Sequence, residues 1–153
     1  MDIADDVRAF MPGERFRHPP LASGRLSGLT FAIKDLYDIA GAMTTYGNPD
    51  WARTHPPASA TAPVVLTLLQ AGARLAGKTK TVELAYGLTG ENIWYGTPIK
   101  PAAPDGFPGG SRCGSAAAAA AHLLDVAPGS DSGRSLRLPG APRARLGIPP
   151  PPP

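Results

Sequence analysis

Cysteine is nearly absent from this chain, with Cys113 the only one in 153 residues. A lone thiol excludes an internal disulfide and fits a reducing compartment. Histidine is scarce too. His18, His55 and His122 lie far apart, and no pair has ligand spacing on one element, so no metal site is expected. The Lys and Arg residues are scattered, no basic block interleaves with aromatics, and the net charge is only +3. That pattern argues against a nucleic acid partner. No apolar run approaches the roughly 20 residues that cross a bilayer. The start, MDIADDVRAF, is acidic and lacks the basic and apolar regions of a signal peptide. These absences set the expectation of a cytoplasmic protein without a membrane partner.

Proline and glycine are plentiful instead, at 19 and 18 residues. Together they approach the level at which disorder is a fair prior. Clear apolar runs and a 42% hydrophobic fraction argue against disorder throughout. The length allows one domain at most. Residues 1–27 read as an N-terminal extension, with a short helix over Asp2–Phe10 and a turn-rich surface passage after it. Residues 140–153 end in five prolines and read as a disordered tail with polyproline II character.

Between them the chain alternates. Leu29–Ile33 reads as a buried strand ending at Lys34, and Gly41–Ser59 as irregular, with Trp51 as a packing anchor. Thr61–Ala71 reads as a helix capped by Thr61, with Pro63 in its first turn and Val64, Val65, Leu68 and Leu69 at helical spacing. A second strand is expected over Ala73–Gly77 and a short helix over Thr81–Tyr86. The GENIWYGTPIKP passage suits either a binding loop or a capped turn. Six consecutive alanines make Ser115–Leu123 a helix slim enough to lie close to a sheet. A strand over Leu124–Ala127 follows, with Pro128 awkward there because it cannot donate to a ladder. The fold class expected is α/β, a mixed, mainly parallel sheet covered by helices.

Candidate chemistry centres on Lys34, Ser111 and Ser135. A lysine at the end of a buried strand either snorkels to the surface or, if desolvated, loses its proton readily enough to act as a base. Serine hydroxyls need such a base, and donors for the oxyanion that forms on attack. There is no GxSxG elbow, which leaves a Ser–Lys arrangement. The turn SDSGRS offers successive backbone N–H groups to an oxyanion, if it curls into a nest.

Taken together, FAIKD, GGSRCGSAAAAAA and GSDSGRSLRLP resemble the amidase signature family, over about Leu29–Pro139. Asp131, Gly133, Ser135, Leu136, Arg137 and Pro139 match the family's second motif, and Ser111 and Ser135 lie 24 positions apart, like its two catalytic serines. YGNPDW, the helix after TAPVV and GENIWYGTPIKP are similar to the branch that hydrolyses indole-3-acetamide. The resemblance implies a partial amidase signature domain over residues 28–139. It further implies Ser135 as nucleophile, Ser111 in a cis peptide with Gly110 as proton relay, and Lys34 as neutral base. The backbone amides of Ser132, Gly133, Arg134 and Ser135 would form the oxyanion hole. No cofactor or metal is implied; the partner is a small-molecule amide, with a homodimer as candidate assembly.

The pattern breaks at three places. Arg112 stands where a second serine is usual, and steric crowding is the effect expected. Arg134 replaces a glycine before the nucleophile, and Pro128 sits in the expected strand. After Pro139 the family's continuation is replaced by PGAPRARLGIPPPPP, so the chain reads as a truncated amidase. The alternative readings are a non-catalytic remnant whose Pro-rich end serves as an interaction ligand, and an amidotransferase subunit.

Overall fold

The computed structural model describes residues 3–13 and 15–130. Its centre is a parallel pair of strands, β1 (Thr30–Lys34) and β2 (Arg74–Thr79). Helix α1 (Pro49–Thr54) and helix α2 (Pro63–Gln70) lie between them in sequence, and helix α3 (Cys113–Ala120) follows. Both edges of the pair are extended by single bridges. Val126 pairs parallel with Phe31, while Phe10 and His18 pair antiparallel with Thr79 and Leu75. The expected α/β class, with a mixed but mainly parallel sheet, is what forms.

Alternation along the strands builds a core on each face. Phe31, Ile33 and Leu75 pack with Val65 and Leu69 of α2. Ala32 and Ala76 point the other way and meet Ala117 and Ala118 of α3 together with Val7 and Phe10. Alanine against alanine is what lets α3 lie close to the sheet. The closest approach is at Gly114, where a Cβ would run into Ala9 O and sit 2.5 Å from Lys80 N. Those are backbone atoms, so the helix would have to move. Gly114→Ala is therefore expected to destabilise the chain by about 1–3 kcal/mol, although alanine is the better helix former. A denaturant midpoint equal to or above wild type would refute this.

The elements differ from expectation where side chains compete with the backbone. No helix forms over residues 3–10. The Asp5 carboxylate instead accepts from Ala9 N at 2.6 Å and Phe10 N at 2.9 Å, holding an irregular turn. Helix α1 lies inside the passage expected to be irregular, since it has no buried residue and hence no apolar period. Its signal is Asn48 followed by Pro49: Asn48 Oδ1 accepts from Asp50 N at 2.7 Å and Trp51 N at 3.0 Å. Trp51 is half-buried and stacks on His55, with ring centroids 4.0 Å apart.

Thr61 does not cap α2. Ala62 holds the N-cap position, and Thr61 Oγ1 accepts from Ala40 N at 3.0 Å. The helix expected over Thr81–Tyr86 is reduced to a 3-10 turn at Glu83–Ala85, where Leu84 has a φ of 49°. The strand expected over Leu124–Ala127 is reduced to the Val126 bridge. Pro128, with no N–H to give, lies two residues on and cannot extend that ladder.

Candidate active site

Strand alternation decides which groups meet. Ala32 faces α3, so Lys34, two residues on, faces it as well. Lys34 has no exposed surface, and its Nζ donates to Ser111 Oγ at 2.6 Å and to Ser130 Oγ at 3.1 Å. The snorkelling alternative is therefore not the one adopted. Burial lowers the Lys34 pKa from 10.5 to about 8; Cys113 raises it in part and the Arg112 guanidinium lowers it further.

Ser111 is held from behind. Thr81 Oγ1 donates to its carbonyl at 2.8 Å and Val82 N does so at 3.1 Å. The Gly110–Ser111 peptide bond is cis. Gly109 N and Gly110 N donate to Thr89 O and Leu88 O at 2.8 and 2.7 Å. The glycine-rich loop is thus pinned along the chain that leaves β2. At the start of α3, Ser115 Oγ lies 2.7 Å from Thr79 Oγ1, a buried contact that locks the helix to the strand.

With Arg112 next to it, Ser111 Oγ still meets Lys34 Nζ. The Arg112 side chain lies over Gly129, where a Cβ would come within 2.6 Å of Arg112 Cδ. The smallest residue leaves room for the arginine stem, and the guanidinium acts on Lys34 through its field. Ser132, Gly133, Arg134 and Ser135 lie outside the described residues, as does the Pro-rich end.

Two groups near the site carry no signal in the sequence pattern. Ser130 sits in the same GSDSGRS segment as the expected nucleophile, but no motif role falls on it. The second is a buried ion pair on the opposite face of the sheet. Lys78 Nζ lies 3.0 Å from Asp35 Oδ1 and also donates to Thr44 Oγ1 at 2.8 Å and Met43 O at 2.9 Å. Asp35 Oδ2 accepts from both the amide and the hydroxyl of Thr45. Burial still raises the Asp35 pKa, with Lys78 and Thr45 opposing it. A cleft of about 370 Å³ opens on this pair, lined also by Met11, Phe16, Met43 and Tyr95, and it does not include Lys34 or Ser111.

Asn92 caps a turn within GENIWYGTPIKP. Asn92 is buried, its Nδ2 donates to Gly47 O and Thr81 O at 2.8 and 2.9 Å, and its Oδ1 accepts from Trp94 N and Tyr95 N. Among the described residues no group of three or more His, Cys, Asp or Glu is arranged to hold a metal.

A parallel α/β sheet with a buried lysine against a serine before a small-residue helix defines the class of site. The amidase family model matches residues 14–151, so the chain belongs to the amidase family. It is 57% identical over 138 residues to Amidase 1 of Oryza sativa subsp. japonica, covering 89% of this chain and 31% of that protein. It is 48% identical over 121 residues to the chloroplastic outer envelope protein 64 of Arabidopsis thaliana, covering 79% of this chain and 20% of that one. The mitochondrial outer envelope protein 64 of the same plant is 47% identical over 144 residues, or 90% of this chain and 24% of that one.

Among solved structures, a vestigial protein complex bearing on the origins of an s-triazine catabolic enzyme superposes with a TM-score of 0.74 at 42% identity. The match covers 78% of this chain and 26% of that one. A glutamyl-tRNA(Gln) amidotransferase subunit from Thermotoga maritima superposes with a TM-score of 0.73 at 31% identity, covering 88% and 29%. The chain spans less than a third of the length of these relatives.

The outer envelope relatives overturn the cytoplasmic expectation. That expectation rested on the acidic start and the short apolar runs, and neither feature says where an amidase segment is held. Among the described residues no helix is long and apolar enough to cross a membrane.

Proposed function

We propose that the chain carries the nucleophile-bearing part of an amidase that hydrolyses a small carboxamide to an acid and ammonia. The observation that carries this reading is the buried Lys34 amine on Ser111 Oγ, in a member of the amidase family. In the reaction Lys34 takes the Ser111 proton while Ser111 takes that of Ser135, and Ser135 Oγ attacks the amide carbon. Backbone N–H groups of Ser132, Gly133, Arg134 and Ser135 receive the oxyanion. As the tetrahedral species collapses, the C–N bond breaks and the proton held by Lys34 returns through Ser111 to the leaving amine. Water then cleaves the acyl-Ser135 ester by the same relay.

A simple aryl or indolyl acetamide is the test substrate. Wild type is expected to release ammonia and to be marked by a fluorophosphonate probe, and Ser135→Ala to do neither. An unchanged rate in Ser135→Ala would refute the assignment. The similarity to glutamyl-tRNA(Gln) amidotransferase subunits supports a second reading, in which glutamine is the amide. Ammonia release from glutamine only when partner subunits are present would favour it. The outer envelope relatives support a place at an organelle surface, which membrane fractionation would check.

A further inference from the structure

We infer that Ser130 is a positioning residue for the Lys34 amine, selecting the rotamer in which the nitrogen lone pair faces Ser111. This rests on the reading of Lys34 as the base. A neutral amine has two N–H donors and one lone pair, and it turns freely about the Cε–Nζ bond. To accept a proton from Ser111 Oγ, the lone pair must lie along the 2.6 Å line between the two atoms. Nothing in that contact alone prevents an N–H from occupying the line instead, and an amine so turned accepts nothing. A second acceptor in a different direction ties up one N–H, which leaves the Ser111 line to the lone pair or the one remaining N–H and so favours the productive rotamer. Ser130 Oγ is that acceptor, 3.1 Å from Nζ. With one N–H engaged there, the lone pair can be directed at Ser111. Once Lys34 is protonated, the same oxygen accepts from the ammonium, which no exposed surface connects to water.

The two contacts come from different parts of the chain. Ser111 precedes α3 and Ser130 follows the Val126 bridge, 19 residues later. β1 is the common neighbour, since Val126 pairs with Phe31 on the strand that ends in Lys34. The Val126 bridge thus fixes where Ser130 lies relative to the lysine. Among the described residues, Cys113 and Arg112, at the start of α3, are the titratable and charged groups that act on Lys34 alongside it. Both are unchanged in each variant of the test.

The test is an NMR titration of the Lys34 Cε resonance in the full chain carrying ¹³C-lysine, with Lys34→Met to assign the signal. Ser130→Thr retains the oxygen, and Ser130→Val has the same shape without it. Removing an acceptor from the ammonium disfavours the charged form, so Ser130→Val is expected to lower the Lys34 pKa by about one unit. Ser130→Thr is expected to leave it near the wild-type value. A purely structural role for the side chain would affect both variants alike. At pH 10, where the amine is neutral in all three, fluorophosphonate labelling of Ser130→Val is expected to be slower by about tenfold and that of Ser130→Thr to be close to wild type. An unshifted titration in Ser130→Val, or equal labelling rates at pH 10, would overturn the proposal. Wild type that is never labelled would sink the amidase reading itself, while the titration would still decide whether Ser130 engages the amine.

Discussion

Lys34→Met is expected to lose amide hydrolysis by about a thousandfold or more while gaining stability at neutral pH. The loss follows from removing the proposed base, buried in contact with Ser111, a role usually worth about 10²–10⁴ in rate. The gain follows from burial. The folded pKa of Lys34 is about 8, against 10.5 for an ordinary lysine. The unfolded chain therefore holds that proton more tightly than the folded one. Below pH 8 the whole difference, on the order of 3 kcal/mol, opposes folding. It fades as pH rises from 8 to 10.5 and is gone above that, where unfolded and folded forms are both neutral.

Methionine fills the same volume with no charge to desolvate. It gives up the hydrogen bonds to Ser111 and Ser130, which leaves a net gain of about 1–3 kcal/mol at pH 7. Urea melts of wild type and variant across pH 7 to 10.5 should show the variant's advantage shrinking with pH and vanishing or reversing at the alkaline end. A variant that is less stable than wild type at pH 7, or a gap that does not close, would refute the account. Hydrolysis by wild type should rise with pH around a midpoint near 8, because the neutral amine is the active form. A cost in folding is what the proposed role would demand of this lysine.

Lys78→Met is expected to act in the opposite sense, destabilising the chain by about 3–5 kcal/mol. Lys78 is also buried, but its ammonium is ion-paired with Asp35 and donates to Thr44 and Met43. Removing it leaves the Asp35 carboxylate buried with the two Thr45 contacts. The Asp35 pKa is already raised by burial, and loss of the ammonium raises it further. A carboxyl whose folded pKa lies above its unfolded value of 3.8 opposes folding at pH values above the folded pKa and ceases to below 3.8. The deficit of Lys78→Met should therefore be large at pH 7 and smaller at pH 4. The double variant Asp35→Leu/Lys78→Met should recover much of it, since no unpaired charge then remains. A single variant as stable as wild type, or a double variant no better than the single, would show that the pair is not coupled as described.

Two buried lysines with opposite roles are not distinguishable by local pattern. Lys34 stands out because an apolar run, FAIKD, ends at it. Lys78 lies in an equally apolar run, RLAGKT, with no motif to mark it. In regular alternation Lys78 would share the face of Ala76, the face that Lys34 and α3 occupy. One extra residue in β2 prevents this: Phe31 pairs with Leu75 but Ile33 pairs with Lys78, so β2 advances three residues while β1 advances two. Gly77, with φ of 145°, is in the bulge. The shift turns Lys78 to the side of Asp35 and brings Thr79 round to meet Ser115. No periodicity argument anticipates a bulge of this kind, because it is defined only against the partner strand.

What the sequence determined by itself was the sequence-local part. It carried the βαβ order, the helix starting near Pro63, the alanine helix, and the Lys34, Ser111 and Ser135 candidates with their family resemblance. Those depend on apolar period, proline placement and motif spacing, all of which act over a few residues. It did not reveal α1, which has no fully buried residue, or the irregular start, which Asp5 enforces by capping amides four and five residues on. Tertiary structure alone decided that Lys34 is buried on Ser111 across 77 residues, that Ser130 shares its amine, and that Arg112 lies aside over Gly129. The reason is the same in each case. A side chain's protonation and partners are set by what packs against it, and those contacts close only when distant segments meet on the sheet.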